Sequence, residues 1–176
     1  MKLTVLLIAV LSNVTLLAQS VFTIEENKPV EIDGIEYGFI INNESKREVG
    51  DRGTFSRYEV TAYALNKSNC SRIILYSNYS SLYSSDENAM ARFDCTNATG
   101  YRLTSKSATL RMGTFYVPVK KEFKDDKGKT QITTENVQAG YIFRKGQTIR
   151  DKFTVIVPLN EKPAIQCSIL NSGNVL

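Results

Sequence analysis

Residues 55–65, FSRYEVTAYAL, alternate in character along their length: Tyr58, Val60, Ala62 and Ala64 face one way, Glu59, Thr61, Tyr63 and Leu65 the other. A period of two belongs to an extended strand with one face in a core, and the β-branched and aromatic content favours the same conformation. Similar short runs occupy residues 21–24, 35–41, 72–76, 89–95, 109–112, 114–120, 132–134, 139–143, 152–158 and 164–169. Turn chemistry separates them: Asp33-Gly34, Gly50-Asp51-Arg52-Gly53, Asn97-Ala98-Thr99-Gly100, Asp125-Asp126-Lys127-Gly128 and Lys145-Gly146. The intervals are too short for helical crossovers, and no stretch beyond the first twenty residues has a 3.6-residue period. A chain of this pattern is confined to an all-β antiparallel sandwich or barrel.

The first twenty residues, MKLTVLLIAVLSNVTLLAQS, read differently. Lys2 precedes an apolar run from Leu3 to Leu11, and small residues follow at Ala18 and Ser20. That layout is a cleavable secretory signal, and its apolar run is interrupted at Ser12 and Asn13 before reaching membrane-spanning length. Residues 1–20 are therefore expected to be removed, leaving one domain over 21–176, secreted or periplasmic and without a membrane span. The first cysteine after the signal is Cys70, so no cysteine stands where a bacterial lipid anchor is attached.

Charge and composition narrow the function. Losing Lys2 with the signal leaves 21 basic and 18 acidic residues, a mild +3 with both signs interspersed. No concentrated basic face points to a nucleic-acid partner. The chain has no His and no Trp. Absence of His removes Ser-His-Asp and Cys-His nucleophiles and every His-ligated metal site. A carboxylate-pair glycosidase is the enzyme class that survives, but it ordinarily needs a sugar-stacking surface, and no acid stands in an evident apolar pocket. The expected protein is no enzyme and carries no cofactor. Glu25-Glu26-Asn27, Asp86-Glu87-Asn88 and Asp125-Asp126 lack the spaced acidic pattern that wraps a cation, so no metal is expected.

Three segments resemble immunoglobulin-like bacterial extracellular sandwiches of the telokin-like kind. They are YEVTAYALNKS (58–68), YIFRKGQT (141–148), with its hydrophobe, Gly and Gln-Thr turn, and FTVIVPLNEKPAIQC (153–167), a strand that ends in Val-Pro and resumes after a second proline. The resemblance implies an immunoglobulin-like antiparallel β-sandwich and a binding or accessory module rather than an enzyme. KKEFKDDKGKTQITTENVQ departs from the simplest form of that pattern and reads as an inserted hairpin.

The cysteines invite a pairing. If 72–76 and 89–95 form a hairpin, Cys70 lies opposite Cys95 at a separation of ~4.5 Å between Cα atoms, near the short end of the disulfide range. Such a bridge is worth roughly 3.5 kcal/mol in the chain-entropy model. The competing pair is Cys95–Cys167, because Phe93, Cys95, Ile165, Cys167 and Ile169 all read as inward-facing. Cys70–Cys95 is the expected disulfide, with Cys167 left as a buried, inert thiol.

The candidate binding surface is loop 76–88, YSNYSSLYSSDEN. Tyr76, Tyr79 and Tyr83 alternate with serines, and Asn88 closes the loop. Tyrosine offers a rigid contact surface and a hydroxyl at small entropic cost, while serine adapts its hydrogen bonds, a composition suited to recognising a protein or glycan of the cell envelope or exterior. The alternative surface is 114–134. Pro118 places that strand at a sheet edge, and the lysines that follow either guard the edge against aggregation or form a docking protrusion for an envelope assembly. Asn-x-Ser/Thr sequons at Asn43, Asn66, Asn69, Asn78 and Asn97 are read as Asn/Ser-rich loops. Arg102, Thr104 and Lys106 share a strand face and are read as solvated.

Overall fold

The computed structural model describes residues 20–48, 53–76, 86–96, 106–171 and 173–175. Twelve strands fill them: β1 (Val21–Ile24), β2 (Val30–Ile32), β3 (Ile35–Glu48), β4 (Thr54–Asn66), β5 (Arg72–Leu75), β6 (Ala89–Thr96), β7 (Ala108–Arg111), β8 (Gly113–Lys124), β9 (Thr130–Phe143), β10 (Thr148–Pro158), β11 (Ala164–Ile169) and β12 (Asn174–Val175). They form three antiparallel four-stranded sheets, in the orders β1-β11-β6-β7, β10-β4-β3-β2 and β12-β5-β9-β8. The fold is all-β and sandwich-like. Among the described residues no helix is long and apolar enough to cross a membrane.

Local chemistry accounts for the first turns. Asp33 and Gly34 both take positive φ, 52° and 73°, which a two-residue hairpin between β2 and β3 requires. A Cβ added at Gly34 would also fall 2.9 Å from Ser68 Cβ, so glycine serves both the turn and the approach of the 67–71 loop. β3 then pairs with β4 along its whole length, with a bulge at Asn42, whose side-chain amide donates to Thr61 Oγ1 at 2.7 Å.

The alternation read in β4 is realised: Tyr58, Val60, Ala62 and Ala64 are all buried. They meet Phe39, Tyr37 and Ile35 from β3, Phe153, Val155 and Val157 from β10, and Phe93, Cys95, Ile165, Cys167 and Leu110 from the first sheet in one apolar cluster. Phe143 of β9 reaches the same cluster. Each fully buried aliphatic or Phe side chain there is worth about 1.5–3 kcal/mol. Phe22 and Tyr37 meet edge to face across the first two sheets, ring centroids 5.9 Å apart. The Thr109 amide donates to Asp151 Oδ2 at 3.1 Å, tying β7 to β10.

Two expectations are corrected here. Residues 132–134 and 139–143 are not separate strands but parts of one, β9, which runs out from the body to pair with β8. The hairpin of 72–76 with 89–95 does not form: β5 lies between β9 and β12, and β6 between β11 and β7, in different sheets. With that hairpin goes the Cys70–Cys95 disulfide, and all three cysteines are free. The competing pair is unbonded too. Cys95 stands opposite Ile165 and Cys167 opposite Phe93, so the thiols are diagonal neighbours, where Cα atoms lie ~7–8 Å apart, too far to bridge without movement.

Candidate functional site

β5 ends at Leu75, and the Tyr76 amide donates to the Ala139 carbonyl at 3.0 Å, carrying the β5–β9 ladder one residue beyond the strand. At that level β9 carries an extra residue: Phe115 pairs with Gly140 but Tyr116 with Gln138, leaving Ala139 bulged. The extra residue reverses the alternation, so residues three apart across it share a face. Gln138 and Tyr141 accordingly both reach the Tyr76 hydroxyl. Gln138 Nε2 donates to it at 2.6 Å, and it donates to the Tyr141 hydroxyl at 3.2 Å. The two rings pack edge to face, centroids 5.5 Å apart at 78°.

Gly140 makes this approach possible. A Cβ there would sit 2.0 Å from the Ile74 carbonyl oxygen. The hydrogen bond shared with Tyr76 leads, followed by burial, in pushing the Tyr141 hydroxyl up to about 12. Tyr76 keeps 38% of its surface exposed. It is a side chain held at its polar end by two hydrogen bonds and still partly exposed.

Asn88 has a different place. Arg111 donates through Nη1 to Asn88 Oδ1 at 3.0 Å and through Nη2 to Asp86 Oδ1 at 2.8 Å. The Met112 amide donates to the Asn88 carbonyl at 2.8 Å. Asn88 thus braces the returning end of the loop against β7 rather than presenting a free amide. Tyr79 and Tyr83, together with the rest of 77–85, lie outside the described residues, as do 101–105 and the signal. Gln138 and Tyr141 were missed by sequence reasoning, because only the non-local β5–β9 pairing brings them to Tyr76.

The acidic clusters are engaged internally. Asp125 accepts from the Lys127 and Lys129 amides and from Gln131 Nε2, and the Lys129 bond leads in holding its carboxyl below the usual range. Glu25 is lowered by its hydrogen bond from Lys28. No group of three or more His, Cys, Asp or Glu able to hold a metal occurs among the described residues. An open groove of about 370 Å³, lined by Thr23, Ile24, Ile41, Lys162 and Pro163 among others, lies between β1, β3 and the start of β11. Lys162 and Glu26 bridge its rim at 3.2 Å.

The alternative surface is a ribbon. Beyond the bulge, β8 and β9 run as a two-stranded arm on which almost every residue is exposed. Pro118 lies on β8, which is the edge strand, as expected. Val119, Phe123, Ile132 and Val137 are large apolar side chains left in solvent on this arm.

Sequons sort by burial. Asn66 is fully buried, whereas Asn43 and Asn69 are exposed. The chain matches no protein-family model, and comparison with curated proteins and with solved structures found no match.

Proposed function

We propose that this protein is an exported, non-catalytic recognition module of immunoglobulin-like sandwich type that binds a protein or glycan of the cell envelope or exterior. The observation that carries the reading is the Tyr76 ring, anchored through its hydroxyl by Gln138 and Tyr141 while the residue stays exposed. A ring immobilised before binding loses little entropy on contact, which favours recognition. The N-terminal signal pattern supports export, and the lack of His supports a role without catalysis.

The test is capture of partners by the tagged chain from its native cells, together with a glycan array. Wild type is compared with Tyr76→Ala and with the triple change at Tyr76, Tyr79 and Tyr83. A partner lost in both variants supports the reading; one retained in both refutes it for this surface.

A second reading is an accessory subunit of an envelope assembly, docking through residues 114–134. It is favoured by the projecting ribbon and its exposed apolar side chains. Deleting 121–130 should abolish assembly and leave ligand binding at Tyr76 intact.

A further inference from the structure

Among the described residues the outer edge of β8 is unpaired, because β9 covers only its other side. An isolated two-stranded ribbon is marginal in water, and this one exposes Val119 at 43% and Phe123 at 47%. Its charges are nearly balanced: Lys120, Lys121, Lys124, Lys127 and Lys129 against Glu122, Asp125, Asp126 and Glu135. A strongly charged partner finds no complement there. The pattern along the edge is instead complementary to itself.

We propose that β8 pairs antiparallel with β8 of a second copy of this chain, about a two-fold axis at Lys121. Such an axis, perpendicular to the sheet, keeps each face on its own side, so residues of like parity oppose one another. Val119 of one copy meets Phe123 of the other, twice, on one face. Lys120 meets Glu122, twice, on the opposite face. Lys121 stands opposite its own copy, and each is already paired with Glu135 at 3.4 Å.

Neighbouring registers are poorer: an axis at Val119 forms no ion pair, and one at Phe123 leaves only residues 122–124 of β8 to pair. Sliding the axis to Lys120 sets Lys120 against Lys120, and sliding it to Glu122 sets Glu122 against Glu122 with Lys120 against Lys124. Like charges directly opposite are destabilising. The proposed register sets two Lys120–Glu122 pairs against one like-charged contact, Lys121 with its own copy, and is the register the edge charges favour. The seam is short, well below the area of a standard interface, so the dimer is reversible and depends on concentration. It is independent of the Tyr76 surface.

The experiment is analytical ultracentrifugation of the purified chain from about 1 to 500 μM, with circular dichroism as the control for folding. The wild type is expected to pass from monomer to dimer. Lys120→Glu and Glu122→Lys, each alone, set four like-charged residues along the seam and should weaken dimerisation about tenfold or more. The double variant Lys120→Glu/Glu122→Lys should restore it. An equimolar mixture of the two single variants should form a heterodimer, since each then supplies the charge the other needs. A wild type that stays monomeric throughout overturns the proposal. So does a dimer that ignores the single changes, or single variants whose mixture fails to associate.

Discussion

The side-chain amide of Asn66 donates to the Phe143 carbonyl at 3.1 Å and so joins the end of β4 to the end of β9. The same amide donates to the Cys70 carbonyl at 3.0 Å, and its oxygen accepts from the Ser68 amide at 3.1 Å and from the Ser68 hydroxyl. The backbone of Asn66 pairs with Gln147 and Gly146. Two segments distant in sequence, 66–70 and 143–147, are held together by one buried residue. A sequon read as part of an Asn/Ser-rich loop is the last residue of β4 and is wholly used by the fold.

Replacing Asn66 by Ala leaves the Phe143 and Cys70 carbonyls without this donor and removes the acceptor for Ser68. The expected loss is about 2–4 kcal/mol, from several bonds of about 1 kcal/mol each with the desolvation of stranded groups. Urea denaturation measures it. Asn66→Asp should fare nearly as badly, because it loses both donated bonds. Asn66 should also stay unmodified in any host that glycosylates asparagine.

Gly140→Ala is expected to destabilise by about 3 kcal/mol or more, since the new methyl would fall 2.0 Å from the Ile74 carbonyl, which backbone cannot yield cheaply. The β5–β9 ladder should open locally and release Tyr76. Hydrogen exchange at the Tyr76 amide, bonded to Ala139, reports this directly.

Tyr37 is fully buried and its hydroxyl makes no hydrogen bond among the described residues. Burial pushes the Tyr37 hydroxyl well above the usual tyrosine range, so it stays neutral. Removing an unpaired buried hydroxyl from an intact ring takes away a desolvation cost. Tyr37→Phe should be neutral or more stable by up to ~1 kcal/mol in thermal unfolding.

Burial pushes the Cys95 thiol up to about 11 and the Cys167 thiol up to about 12. An unfolded thiol titrates near 8.5, so the unfolded chain loses these protons first as pH rises. Their contribution to stability is complete below about pH 8 and is lost progressively up to the folded values. The urea midpoint should be flat from pH 6 to 8 and fall above pH ~9. At pH 8, a thiol reagent should modify Cys70 in the native protein, with Cys95 and Cys167 reacting only after denaturation. Alkylation in denaturant without reductant should find three free thiols.

Much of the fold was legible in the chain. Residues 21–24 and 164–169 are strands with the bounds their alternation implies, and the core face of β4 is the one its apolar residues mark. Asp33-Gly34 and Asp125–Gly128 turn where their chemistry places them. Pro118 identified an edge because a residue without an amide proton cannot serve a central ladder. These features are local: side-chain alternation and turn preference act within a few residues, and a short window carries them.

Partner choice is not local. Period-two alternation says which face of 72–76 is buried but not which strand lies beside it, and proximity in sequence suggested 89–95 where the fold chose β9. The cysteine pairing failed with that choice, since a disulfide depends on which strands are neighbours and in what register. Tyr76 was recognisable as an aromatic at a loop edge, but its anchors, Gln138 and Tyr141, are more than sixty residues away. The sequence by itself determined most of the strands, the buried face of β4 and the turns at Asp33-Gly34, Asp125–Gly128 and Lys145-Gly146. The tertiary structure alone decided which strands meet, because the free energy that selects among pairings comes from burying whole faces against one another, and that is a property of the assembled sheets.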